Sequence, residues 1–255
     1  MKLLALDLGN STLFAGFFRN GKLVRSIRIA ASPTLQGDDV LEEKLTRLIQ
    51  GKVNDVALCS VVPKQMDRLA AWVKKTFGLD ALILTPLADH GLKIEYRRPK
   101  ELGADRLATV LGAQKLYPGK NVIVVDCGTA TTLTLLRRDG CLLGGTIMPG
   151  LGLWSGALAQ STAQLPEVAL QKPRRVVGRD TETALRSGSL HGHMGAIREL
   201  VKLSRAEAFG RSPVAVLGTG GWVTHFKTQS LFTAVEPALI LHGLQAFAVR
   251  NYHHA

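Results

Sequence analysis

The chain opens on an apolar run, Leu3-Leu4-Ala5-Leu6, that breaks into Asp7-Leu8-Gly9-Asn10, the pattern of a buried strand ending in a turn. Residues 12–18 and 23–29 read as two further strands, joined by a turn at Asn20-Gly21. From 38 to 49 the spacing becomes helical, with Val40, Leu41, Leu45, Leu48 and Ile49 on one face. A strand at 56–61, a helix at 65–76 and a short strand at 82–84 follow. The next helix opens at Gly103 and carries Leu107, Val110, Leu111 and Leu116 as its stripe, until Tyr117-Pro118-Gly119 stops it.

The same order then returns. Residues 121–125 form an apolar strand that ends in Asp126. Residues 131–136 and 141–147 are the next strands, with a turn near Arg138-Asp139-Gly140. The chain turns helical after Pro149-Gly150, and 181–208 reads as one long helix or two, with a possible break over 188–195. A strand at 214–217, Gly218-Thr219-Gly220-Gly221, a further helix and a last helix at 237–250 complete the pattern. Strand, Asp-x-Gly-(Asn/Thr), strand, turn, strand, then helices occurs twice, with no Pro-, Gly- or Ser-rich linker between the halves. The expectation is an α/β protein of two similar lobes, 1–117 and 118–255, with a cleft between them.

Composition narrows the class. The 255 residues are 46% hydrophobic and 20% charged, a globular balance, with aromatics at only 5%. No apolar run is long enough to span a bilayer, and Asp7 and Asn10 interrupt the opening run before it could serve as an export signal; the expectation is a cytoplasmic protein with no membrane partner. Cys59, Cys127 and Cys141 show no CxxC spacing and suggest neither disulfides nor zinc, and His191-x-His193 is too little for a metal site. The net charge of +12 permits acidic partners. Its clusters, at residues 97–100 and 172–175, lack any accompanying aromatic-rich RNA-binding motif, so a solvated basic surface is favoured over specific nucleic-acid binding.

Four motifs carry candidate chemistry. Asp7-Leu8-Gly9-Asn10-Ser11-Thr12 and Asp126-Cys127-Gly128-Thr129-Ala130-Thr131-Thr132 both sit at strand ends. There glycine admits close backbone approach, hydroxyls and amides donate to phosphate, and an aspartate makes sense with a cation between it and the phosphate. Gly103-Ala104-Asp105-Arg106 offers a carboxylate that could take a hydroxyl proton, beside an arginine suited to a substrate carboxylate or transferring phosphate; a helix cap and surface ion pair is the plainer alternative. The glycine-rich segments 144–150 and 218–221 follow strands but fit neither the P-loop nor the GxGxxG pattern.

In this order the motifs resemble the type III pantothenate kinases, of the acetate kinase/sugar kinase/Hsp70/actin superfamily. The resemblance rests on Asp7-x-Gly9-Asn10, Ser60-Val61-Val62-Pro63, Tyr96, Gly103-Ala104-Asp105-Arg106 and Asp126-x-Gly128-Thr129-Ala130-Thr131-Thr132. It continues through Gly144-Gly145-x-Ile147-x-Pro149-Gly150, Gln164-Leu165-Pro166, Thr181 ahead of Ser187-Gly188, and Thr219-Gly220-Gly221. It implies a duplicated ribonuclease-H-like (actin-like ATPase) fold, two lobes with mixed five-stranded sheets flanked by helices, and ATP-dependent phosphorylation of pantothenate toward coenzyme A. It implies Asp105 as the base. Tyr96, Gly103, Ala104, Asp105, Arg106 and Thr181 would contact pantothenate. Asp7, Leu8, Gly9, Asn10, Ser11, Thr12, Leu13, Phe14 and Thr129 would hold ATP. Asp126 would ligate a monovalent cation, K+ or NH4+, with Mg2+ accompanying ATP, and a homodimer is implied. Asp180, where the family has asparagine, and Thr134, where an aspartate is common, depart from the pattern. With the basic charge they keep two alternatives open: a non-catalytic regulatory or nucleic-acid-associated relative, and a kinase for another small hydroxy acid.

Overall fold

The computed structural model describes residues 1–30, 39–49, 51–226 and 230–252. The chain divides into two compact units: Met1–Pro118 with Gly140–Leu142 and Ala238–Ala255, and Gly119–Asp139 with Leu143–Pro237.

In the first unit β1 (Lys2–Leu8), β2 (Thr12–Arg19) and β3 (Lys22–Ala30) form an antiparallel meander. β4 (Asp55–Ser60) and β5 (Leu82–Ile83) add in parallel beside β1, giving the order β3-β2-β1-β4-β5. Alternation along β1 assigns the two faces. Leu4, Leu6 and Leu8 join Leu13, Phe17 and Leu58 in one core, with Leu45 and Leu48 of α1 (Asp39–Leu48) and Leu69 and Val73 of α2 (Pro63–Phe77). The start of the first helix expected from sequence, at Asp38, lies outside the described residues.

Leu3, Ala5 and Asp7 take the opposite face, on which α3 (Ala104–Leu116) and α6 (Leu239–Tyr252) pack. Small residues bring these helices close. A Cβ built at Gly112 would lie 2.1 Å from the Leu239 carbonyl oxygen, and one at Gly243 would lie 1.7 Å from that of Ala108. The last helix therefore belongs with the first compact unit, whereas the sequence expectation grouped it with 118–255. Its seat is α3, and glycine at the crossing makes that seat possible.

The second unit repeats the strand order. β7 (Asn121–Cys127) pairs antiparallel with β8 (Ala130–Leu136) and parallel with β10 (Val214–Thr219). β9 (Cys141–Pro149) follows β8, and β11 (Ala234–Val235) flanks β10. The order β9-β8-β7-β10-β11 reproduces that of the first sheet, strand for strand. Five strands were expected in each sheet; β6 (Lys93–Ile94) adds a sixth to this one by pairing parallel with Cys141–Leu142 at the start of β9, residues that all belong to the first unit. Ile123, Val125, Leu133 and Val216 pack against Leu151 of α4 (Leu151–Ser161) and against Leu190, Met194, Ile197 and Val201 of α5 (Thr181–Phe209).

Of the two readings open for 181–208, the structure has the single helix: α5 runs unbroken for 29 residues through Gly188, Gly192 and Gly195, because the buried stripe at 190, 194, 197 and 201 continues across them. One expectation needs correction. The helix expected after Gly221 is, among the described residues, one short 3-10 turn, Val223–Phe226.

Candidate active site

Asp7, next to the last residue of β1, lies opposite Cys59 of β4, in a parallel register that puts both side chains on one face. The Cys59 thiol donates to Asp7 Oδ1 at 3.3 Å. Burial pushes the thiol well above its ordinary range, and the nearby charges of Asp7 and Asp105 push it further. One buried sulfur thus bonds the Asp7 carboxylate and feels the charge of Asp105. The turn after Asp7 closes by the Gly9 N–H donating to the Thr12 carbonyl at 2.9 Å. Leu8, Leu13 and Phe14 are buried, Gly9 and Thr12 half-buried, and Asn10 and Ser11 exposed. The apolar members of the expected ATP segment therefore anchor the turn, while its polar tip reaches solvent. Ser60-Val61-Val62-Pro63 clasps the same turn: Ser60 Oγ and the Val61 N–H both donate to the Leu8 carbonyl, at 3.0 and 3.3 Å.

Asp105 lies in the first turn of α3. Its Oδ1 accepts from the Arg106 N–H at 2.7 Å, and a Cβ at Gly103 would lie 2.4 Å from that oxygen. Gly103 therefore leaves room for the carboxylate to fold back. Burial, the dominant influence, raises the Asp105 carboxyl above its ordinary value, while the Arg106 N–H and guanidinium pull the other way. Ala104 and Arg106 are buried, and the Arg106 guanidinium lies 5.8 Å from the centre of the Tyr96 ring. Tyr96, Gly103, Asp105 and Arg106, separated in sequence by up to ten positions, thus converge at one helix start.

In the second unit three glycine-rich segments meet at the Asp126 turn. The Gly128 N–H donates to the Ala130 carbonyl at 3.1 Å, and the Gly150 N–H to the Thr129 carbonyl at 3.0 Å. The Trp222 N–H donates to the Cys127 carbonyl at 2.9 Å. Gly220, at φ +90°, lies so close that a Cβ would stand 2.4 Å from Asp126 Oδ1 and 2.6 Å from the Cys127 nitrogen. The segments 144–150 and 218–221 are therefore braces of the turn that carries Asp126 and Thr129.

Thr181 stands elsewhere in this unit, at the first residue of α5. It lines a groove of about 500 Å³ with Trp154, Leu158, Leu165 and Leu185. The departure at Asp180 has a local explanation: it is the N-cap of α5, accepting from the Thr183 N–H at 2.8 Å, and that bond holds its carboxyl below the ordinary range. Thr134 is buried in β8 opposite Val124. Sequence reasoning missed Cys59 as a partner of Asp7, although its place directly before Ser60-Val61-Val62-Pro63 marks it as the strand position beside the turn.

Among the described residues, no group of three or more His, Cys, Asp or Glu side chains could hold a metal ion alone. Any cation at Asp7 or Asp126 would share its coordination with backbone carbonyls or phosphate oxygens, a hard oxygen set suited to K+ or Mg2+.

Two sheets that share one five-strand order, each with an Asp-x-Gly turn after its first strand, define a duplicated actin-like fold. Solved structures agree. A protein described as a Baf family transcriptional activator from Campylobacter jejuni matches with a TM-score of 0.59 and 18% identity, over 98% of this chain and 99% of that one. A ROK family glucokinase from Streptomyces griseus, solved with glucose and AMPPNP, matches with a TM-score of 0.53 and 14% identity, over 98% and 100%. In sequence, the family model of type III pantothenate kinases matches residues 3–203. A type III pantothenate kinase from Legionella pneumophila is 35% identical over 98% of this chain and 99% of its own length. The chain belongs to the type III pantothenate kinase family, whose reaction is the ATP-dependent phosphorylation of pantothenate in coenzyme A synthesis.

Proposed function

We propose that Asp105 is the general base of this kinase, taking the proton of pantothenate's primary hydroxyl as the phosphoryl group arrives. The observation that carries this is a half-buried carboxylate in the first turn of α3, flanked by Arg106, whose pKa is raised by desolvation. Burial brings the carboxylate's basicity nearer to working pH, which favours proton transfer. Arg106, backed by the Tyr96 ring, holds the pantothenate carboxylate, with Gly103, Ala104 and Thr181 completing the acceptor site. The turns 7–14 and 126–132, Thr129 included, bind the ATP phosphates. Mg2+ accompanying ATP would offset phosphate charge beside these turns. Asp126, held in place by Gly220, is the protein ligand for K+ or NH4+.

ADP formation by purified protein is expected to require pantothenate and to rise when K+ or NH4+ replaces Na+. Asp126→Asn is expected to remove most of that stimulation. Turnover equal in all three salts would remove the monovalent cation, and no pantothenate-dependent ADP would remove the whole assignment.

The working form is a cytoplasmic homodimer. Its support is apolar surface on the second unit: Ile147 is 65% exposed and Leu153 52%, side chains that association would cover. Leu153→Asp is expected to convert a dimer to a monomer in light scattering behind size exclusion. A monomeric parent protein would overturn this.

A further inference from the structure

His193 is fully buried in the middle of α5. Its ring is stacked on Phe226, with centroids 5.8 Å apart, and is met edge-on by Trp154 at 5.4 Å. Within this apolar shell its Nε2 makes one polar contact, 3.1 Å to Thr131 Oγ1. Its Nδ1 has no hydrogen-bond partner among the described residues. Burial pushes the imidazole down to about 4, so it is neutral at working pH.

A phenylalanine or leucine would fill the space between Trp154 and Phe226 without stranding a buried nitrogen. What distinguishes histidine here is the Thr131 contact. Of the two tautomers, the one with the proton on Nε2 leaves only a lone pair unmet at Nδ1. The other leaves a buried N–H unmet, which folded proteins tolerate less well. The geometry thus favours His193 as donor and Thr131 Oγ1 as acceptor. Thr131 itself is fully buried, so its hydroxyl faces the protein interior. It is the first residue past Ala130, whose carbonyl closes the turn by accepting from Gly128, and it sits opposite Cys127 in the β7–β8 ladder.

We propose that His193 is a positioning residue for the phosphate turn, fixing Thr131 and through it the placement of Gly128 and Thr129 toward the nucleotide. This rests on the reading of 126–132 as an ATP-phosphate turn. It also gives α5 two roles, since the helix carries Thr181 at its start and the brace of the phosphate turn at its middle.

The test is steady-state kinetics on four variants of the full chain, with thermal midpoints recorded alongside. His193→Phe keeps the packing and removes the donor. It is expected to raise KM for ATP about three- to tenfold, the scale of one lost hydrogen bond, with KM for pantothenate unchanged. His193→Gln, whose amide nitrogen reaches about as far as Nε2, is expected to restore most of the loss. Thr131→Val is expected to match His193→Phe, and the double variant to add little to either. Equal rises in both KM values, no rescue by glutamine, or an unchanged KM for ATP would each overturn the proposal. Should His193→Phe fail to fold, Thr131→Val and His193→Gln decide it. Thr129→Val separates the two levels of inference. If it leaves KM for ATP unchanged, the phosphate-turn reading falls; if it raises KM while His193→Phe does not, only the role of His193 falls.

Discussion

Replacing Asp105 by asparagine is expected to lower turnover by about two orders of magnitude or more, the usual scale for a general base, while the protein stays folded. Asparagine keeps the shape, and its side-chain oxygen can still accept from the Arg106 N–H. What it cannot do is take a proton. The pH profile carries a second signature. Because burial raises the Asp105 pKa, kcat/KM for pantothenate is expected to fall on the acid side at a pH above the ordinary aspartate value of about 3.9. That limb should vanish in the variant's residual activity. Stability should move the other way. The native state holds this proton at pH values where the unfolded chain has released it, so stability falls as pH rises between the two pKa values and stays lowered above them. Asparagine removes that cost, and the variant is expected to melt at or above the parent's midpoint at neutral pH. Near-normal turnover in Asp105→Asn would take the residue out of the chemistry.

The largest expected effect on folding comes from Gly243→Val. Removing glycine from a helix interior normally helps, by up to about 1 kcal/mol against alanine, and valine recovers part of that. At this site the clash wins. A Cβ would sit 1.7 Å from the Ala108 carbonyl oxygen and 3.0 Å from the Gly112 nitrogen. These are backbone atoms of α3, which no rotamer change can move aside. Separating α3 from α6 would open the layer beneath them, at a cost of about 3 kcal/mol or more. Urea denaturation reads the loss directly. Gly195→Ala, on an exposed part of α5 with nothing within 4 Å of the new methyl, is the control and should stabilise by under about 1 kcal/mol. A Gly243→Val protein as stable as its parent would mean that the two helices do not meet as described.

Much of the fold was legible because its signals are local. The apolar runs at 3–8 and 121–125 are buried strands, the turns at Asn20-Gly21 and Gly140 lie where the residues place them, and the doubled Asp-x-Gly pattern matches the doubled strand order. The misses are cases where distant residues decide. β6 and β11, two residues each, have no periodicity to read and exist only through their neighbours. The glycines of α5 left one helix or two open, and the buried stripe beneath them decides for one. Nothing in the sequence of α6 says that its partner is α3, since the complementarity lies in glycines 131 positions apart. For the site, the residue types of Asp7, Asp105 and Asp126 were readable from motifs. Their supports were not: Cys59 beside Asp7 follows from strand register, Gly220 beside Asp126 from the pairing of β10 with β7, and His193 from the path of a 29-residue helix.

The place of α6 has a consequence for biosynthesis. The first unit cannot cover the α3 face of its sheet until residues 239–252 have left the ribosome, by which time the whole intervening unit has been translated. A nascent chain halted near residue 230 would present α3 bare beside a sheet already assembled. It would depend on chaperones to keep that surface from sticking.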